Sequence, residues 1–212
     1  MFGSAGNWGP WKDRLVDAYL TSIPLIWANV VWFLLSLPLI TLFPALAGLY
    51  HATHLIVTGR DGGGRAVWDG FRLYFRLGWR WGLLLGFGVA VLGVNVWFYN
   101  QVETSWAWLP RAFFFTLLVL WLAVNIYTFP LLLQQQETRL RTALRNSMVL
   151  WMRRPFHSLT LVAACALLTW ASTFYFPFAW IFLTGSLCAY LANRTVVETI
   201  AEINESDEKE HR

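Results

Sequence analysis

Lysine is almost missing from this chain, with two among 212 residues, and charged side chains of all kinds make up only 13% of it. An ordinary soluble domain carries about twice that share. So little charge cannot coat a water-facing surface, which excludes a polar-surfaced cytosolic enzyme. The 57% apolar content excludes a disordered chain. Cysteine is scarce as well. Cys165 and Cys188 each sit in a long apolar run without a second cysteine nearby, which excludes a disulfide-stapled module and a CxxC metal or redox motif and leaves both thiols as packing groups. Catalytic patterns are also missing: there is no HExxH, no GxSxG, no Walker frame and no enclosed pair of carboxylates, so neither an enzyme nor a cofactor is expected.

What fills the space is apolar sequence. From Tyr19 to Val57 there is no Asp, Glu, Lys or Arg. As one helix rising about 1.5 Å per residue, this run would be roughly twice as long as the ~30 Å hydrocarbon core of a bilayer. The chain must turn, and Pro38 and Pro44 mark the place, since proline interrupts a helix and restricts the residue before it. The reading is a first span near 18–37 and a short second one near 43–58. Further spans are expected at Trp81–Tyr99, Ala112–Leu133, Leu159–Phe174 and Phe178–Ala192. The predicted fold is thus an all-α integral membrane protein of six transmembrane helices, arranged as three hairpins joined by two amphipathic helices at the cytoplasmic interface. It forms a single transmembrane domain over 1–198, followed at 199–212 by an acidic, frayed cytoplasmic tail.

Sidedness follows from the basic residues, because Lys and Arg are retained on the cytoplasmic side. With the N-terminus inside, Lys12, Arg14, the cluster from Arg60 to Arg80, the cluster from Arg139 to Arg154, and Arg194, Lys209 and Arg212 all fall inside. Arg111 alone sits at the outer edge. Both termini are therefore expected in the cytoplasm. A net charge of +4 spread this way calls for lipid headgroups, and no nucleic-acid partner is expected.

The two connectors between hairpins carry helical periodicity. Over 65–80, Val67, Trp68, Phe71, Tyr74, Phe75 and Gly78 recur at spacings of three and four, while Arg65, Asp69, Arg72, Arg76 and Arg80 follow the same rhythm on the opposite face. Arg65, Arg72, Arg76 and Arg80 are expected to contact lipid headgroups, and Trp68, Phe71, Tyr74 and Phe75 to form a face on which a partner docks. The second connector places Leu140, Ala143, Leu144, Ser147, Met148 and Trp151 on one face and Glu137, Arg141 and Arg145 on another, ending at Arg153-Arg154-Pro155.

Asn29, Asn95 and Asn125 fall near the middle of three spans, where an amide without a partner is costly. They are expected to face inward, either bonding between helices or forming a polar layer along a solute path. His51 and His54, three residues apart, supply at most two metal ligands on one face.

From Asn29 to Gly59 the chain reads NVVWFLLSLPLITLFPALAGLYHATHLIVTG and continues VWDGFRLYFRLGWRWGLLLG. The pattern S-L-P-x-x-T-x-x-P of Ser36, Leu37, Pro38, Thr41 and Pro44, followed by F-x-x-Y-F-R at Phe71, Tyr74, Phe75 and Arg76, resembles the YesL-like family of small bacterial membrane proteins. The resemblance covers about the first hundred residues. It implies a bacterial plasma-membrane protein encoded beside carbohydrate-uptake genes. Two functions are carried forward. The first is a non-catalytic accessory or assembly subunit, working with a carbohydrate-uptake system or another membrane complex and partnered by lipids and by a membrane protein or a second copy. The alternative is a permeation protein that binds a neutral polar solute such as a sugar in the Asn29, Asn95 and Asn125 layer.

Overall fold

The computed structural model describes the backbone of residues 10–135 and 138–210, with the side chains of 21–135 and 138–202. Every element among these residues is helical. The order is α1 (Pro10–Ser36), α2 (Leu42–Val57), α3 (Gly64–Leu73), α4 (Phe75–Asn100), α5 (Trp108–Leu133), α6 (Leu140–Arg153), α7 (Pro155–Phe174), α8 (Ala179–Phe182) and α9 (Thr184–Glu210).

The first hairpin turns where the prolines predict. Pro38 leads a single 3₁₀ turn, Leu39–Thr41. The Thr41 hydroxyl reaches the carbonyl oxygens of Leu35 and Pro38, at 2.5 and 2.7 Å, using polar groups that this apolar turn would otherwise leave bare. α2 then becomes the hub of the molecule, in contact with α1, α3, α4, α5 and α9. Its sequence permits this because Ala45, Ala47, Gly48 and Ala52 are all buried and small. At Gly48 the approach is closest: a Cβ there would lie 2.4 Å from the Val67 carbonyl oxygen, so only glycine lets α3 cross so near.

A ring cluster extends the hub. Phe129 of α5 stacks on Tyr50 at 5.5 Å and meets Trp81 at 5.1 Å and Tyr74 at 6.0 Å. These contacts join α2, the α3–α4 corner, α4 and α5 at the end of the bundle that carries α3 and α6, the connector end. Away from it the α4–α5 hairpin runs on alone. The buried residues of α4 are Gly78, Trp81 and Gly82, and those of α5 begin at Ala123. Beyond Gly86, α4 continues for about 20 Å at 1.5 Å per residue. Phe87, Trp97, Phe113 and Phe115 on this stretch of the hairpin are all more than half exposed, the surface that lipid covers.

Three features depart from the sequence-based expectation. The helix expected over 65–80 is two helices: α3 ends at Leu73, Tyr74 adopts a non-helical conformation, and Phe75, Arg76 and Arg80 belong to α4. The 3.6-residue period runs through both pieces, so it hides the corner. At the corner the Tyr74 ring is seated against His51 and Phe129.

The span expected at Phe178–Ala192 is likewise broken, into α8 and α9 with Leu183 between them. The length condition is the third departure. Among the described residues four segments are long and apolar enough to cross a membrane, namely Leu39–Val57, α4, α5 and α7, and Thr21–Ser36, the part of α1 whose side chains are described, is a further apolar stretch. Glu137 and Arg212 lie outside the described residues, as do the side chains of Lys12, Arg14 and Lys209. The backbone of the acidic tail is helical to Glu210.

Candidate functional site

Three charged residues of the first connector, Asp61, Arg65 and Asp69, gather where α1, α2 and α3 meet. α2 ends in a tight reversal. Gly59 takes φ +73°, a conformation other residues avoid, and the Arg60 amide donates back to the Leu55 carbonyl at 2.8 Å. The chain then folds back along α2 and enters α3, which brings the connector beside the last turns of the helix it has just left. The result is a cavity of about 530 Å³ whose walls include Trp27 of α1, His51 and Leu55 of α2, Asp61 of the loop, and Arg65 and Asp69 of α3.

Its electrostatics are unusual for so small a space. Asp61, Arg65 and Asp69 follow one another at intervals of four residues, yet among the described residues none of them makes an ion pair. Two carboxylates and a guanidinium, all exposed, therefore border the cavity with their hydrogen-bonding capacity unspent. The wall opposite is apolar and includes Trp27, which is 60% exposed.

The remaining candidates are placed as follows. Arg65, Arg72, Arg76 and Arg80 are all exposed, the first two on α3 and the others on α4. The aromatic face divides: Trp68 and Phe75 are exposed, whereas Phe71 and Tyr74 are half-buried against the core. The Trp68 and Phe71 rings stack at 5.6 Å, and Phe71 meets Phe75 edge-on at 5.5 Å. Burial pushes the Tyr74 hydroxyl above its ordinary pKa, so the phenol at the corner stays neutral.

The three asparagines do not come together. Asn29 is fully buried and donates to the Trp180 carbonyl at 2.7 Å, while its oxygen accepts the Ser186 amide at 2.7 Å. It thus caps the start of α9 from another helix, across the break that follows α8. Asn95 lies on the bare half of α4, half-buried, and donates to Val91 of its own helix at 2.8 Å. Asn125 donates to Trp121 one turn back at 2.9 Å, and its buried oxygen has no partner among the described residues. It borders an apolar groove of about 310 Å³ between α2, α4, α5 and α7. His54 also keeps a buried, unpartnered Nδ1, and no group of three metal-ligating side chains occurs among the described residues.

Two features escaped the sequence reading. Asn193, fully buried, donates to the Tyr50 carbonyl at 3.0 Å and the Thr53 hydroxyl at 2.9 Å, tying α9 to α2. The Asp61, Arg65, Asp69 interval was the available sign of a third face on the connector, distinct from the arginine stripe.

The connector cavity, built around the α2 reversal, is also where the chain is recognisable. Residues 25–101 match the model of a family described as "Protein of unknown function, DUF624". DUF624 takes in the YesL-like proteins. The DUF624 match spans well under half of the chain and includes Trp27, His51, Asp61, Arg65 and Asp69 together with all of α2, α3 and α4. No curated protein and no solved structure matches the chain.

Proposed function

We propose that the protein is a YesL-like, non-catalytic accessory or assembly subunit of the bacterial plasma membrane, with its connector end and both termini in the cytoplasm. It docks a membrane-protein partner through α3. One observation carries this reading: α3 is clamped to α2 at Gly48, yet leaves Trp68 and Leu73 exposed, with Leu73 at 70%, and Phe75 at the start of α4 extends the exposed face. A helix held by its own bundle does not need aromatic anchors in lipid, so exposed rings on a fixed frame serve recognition. The resemblance points to a carbohydrate-uptake system as the partner.

The test is cross-linking in native membranes. The Trp68→Ala, Leu73→Ala double variant alters only exposed side chains, so it should purify at the wild-type level and lose the cross-linked partner. An unchanged cross-link would remove α3 as the docking surface.

A second reading, solute permeation, draws support from the unpartnered Asn125 oxygen beside its groove. It predicts that a neutral sugar raises the melting temperature of the isolated protein and that Asn125→Leu abolishes the effect.

A further inference from the structure

We propose that the cavity between α1, α2 and α3 is a binding site for a membrane lipid whose headgroup joins a primary ammonium to a phosphate, the phosphoethanolamine type. The inference is independent of the docking role assigned to α3. It starts from the charges. Asp61 and Asp69 offer carboxylate oxygens, Arg65 offers guanidinium N–H groups, and none of the three is paired with another described residue. An anion alone would meet two carboxylates, and a cation alone would meet the arginine. A group that carries both signs a few ångströms apart satisfies all three, with phosphate on Arg65 and ammonium on the carboxylates.

The rest of the cavity says where the ligand comes from. Its other walls include Ile23, Pro24 and Trp27 of α1 and Leu55 at the end of α2, an apolar lining next to a charged one, with the His51 ring within electrostatic reach of Asp69. That is the profile of an amphiphile, with the headgroup at the loop and the first carbons of its chains along α1. A tryptophan exposed at this level is also a common interfacial residue. The site differs from the stripe formed by Arg72, Arg76 and Arg80. That stripe attracts anionic lipids of any kind, whereas the two aspartates penalise a net negative headgroup. A primary ammonium also donates hydrogen bonds to carboxylates, and a trimethylated one does not. The expected order is therefore phosphatidylethanolamine above phosphatidylcholine above phosphatidylglycerol.

Native mass spectrometry of the full chain tests this. The protein is delipidated in mild detergent and offered an equimolar mixture of the three lipids with identical acyl chains. Phosphatidylethanolamine should be retained about tenfold over phosphatidylglycerol, the scale of a charge-assisted hydrogen-bond set. The Asp61→Asn, Asp69→Asn double variant should lose that preference, and Arg72→Gln should keep it. Equal retention of the three lipids by wild type, or a preference for phosphatidylglycerol, overturns the proposal whether or not the double variant folds. Thermal melting supplies the second arm. Stabilisation by soluble phosphoethanolamine equal to that by the lipid would assign the site to a water-soluble ligand and overturn the lipid assignment. Stabilisation by a monosaccharide, with none by phosphatidylethanolamine, would overturn the headgroup chemistry itself.

Discussion

α2 and the outer half of the α4–α5 hairpin are both strongly apolar helices, yet they live in different surroundings. α2 touches five other helices and buries eight residues, among them Ala45, Ala47, Gly48 and Ala52. The outer half of α4 packs on α5 and leaves Phe87, Val94 and Trp97 more than 60% exposed. Hydrophobicity does not separate the two. Nor does residue size, since Gly86, Gly88, Ala90 and Gly93 stand on the outer half; what differs is that Gly48 lies against the backbone of α3 while Gly93 has open space around it, and in lipid such close backbone approach supplies the attraction. Polar groups follow the same division. Near the hub they bond across helices, as Asn29 and Asn193 do, while on the bare half Asn95 and Thr116 bond to their own helix one turn back.

Substitutions at the two ends should therefore differ in size and even in sign. The largest effect is expected for Gly48→Val. Its new side chain meets the backbone of α3, which cannot rotate away, and thermal melting in detergent should show a loss on the order of 4 kcal/mol. Asn29→Leu comes next. It leaves the Trp180 carbonyl and the Ser186 amide buried without partners, a cost of about 2 kcal/mol by the same measurement. Asn95→Leu, the same change on the bare half, should cost less than about 0.6 kcal/mol because no second helix loses a bond. The smallest effect should carry the opposite sign. Gly93 has open space around it, so Gly93→Ala should stabilise the helix by about 0.5 kcal/mol. A loss in Gly93→Ala comparable to that in Gly48→Val would mean that another molecule covers the outer half.

Much of this architecture was legible in the residues. Pro38 and Pro44 place the first turn, and long uncharged runs give α5 and α7 to within four residues of their ends, whereas α4 begins six residues before its expected start at Trp81. The two breaks were not legible, for a common reason. At Tyr74 the chain changes direction while keeping its helical period, and the ring there packs on Phe129, more than fifty residues on. At Leu183 the break is held by Asn29 from the far end of the chain. Neither contact is local, so no window of sequence contains it. The connector cavity falls between these cases. The interval from Asp61 through Arg65 to Asp69 was visible, but it merges with the arginine rhythm until the chain reverses at Gly59 and sets these three against α1.

The Asn29 contact also bears on how the protein is made. Its partner Ser186 lies 157 residues later in the chain, and Tyr50 waits 143 residues for the side chain of Asn193. During synthesis the Asn29 amide has no partner until the C-terminal elements arrive, whereas the Tyr50 carbonyl already accepts the Thr53 hydroxyl at 3.1 Å within α2. A nascent chain that stops after α7 carries that open amide with it. The same amide that bridges the break in the finished molecule thus records, in the unfinished one, that the C-terminal helix is missing, as a polar group left without a partner.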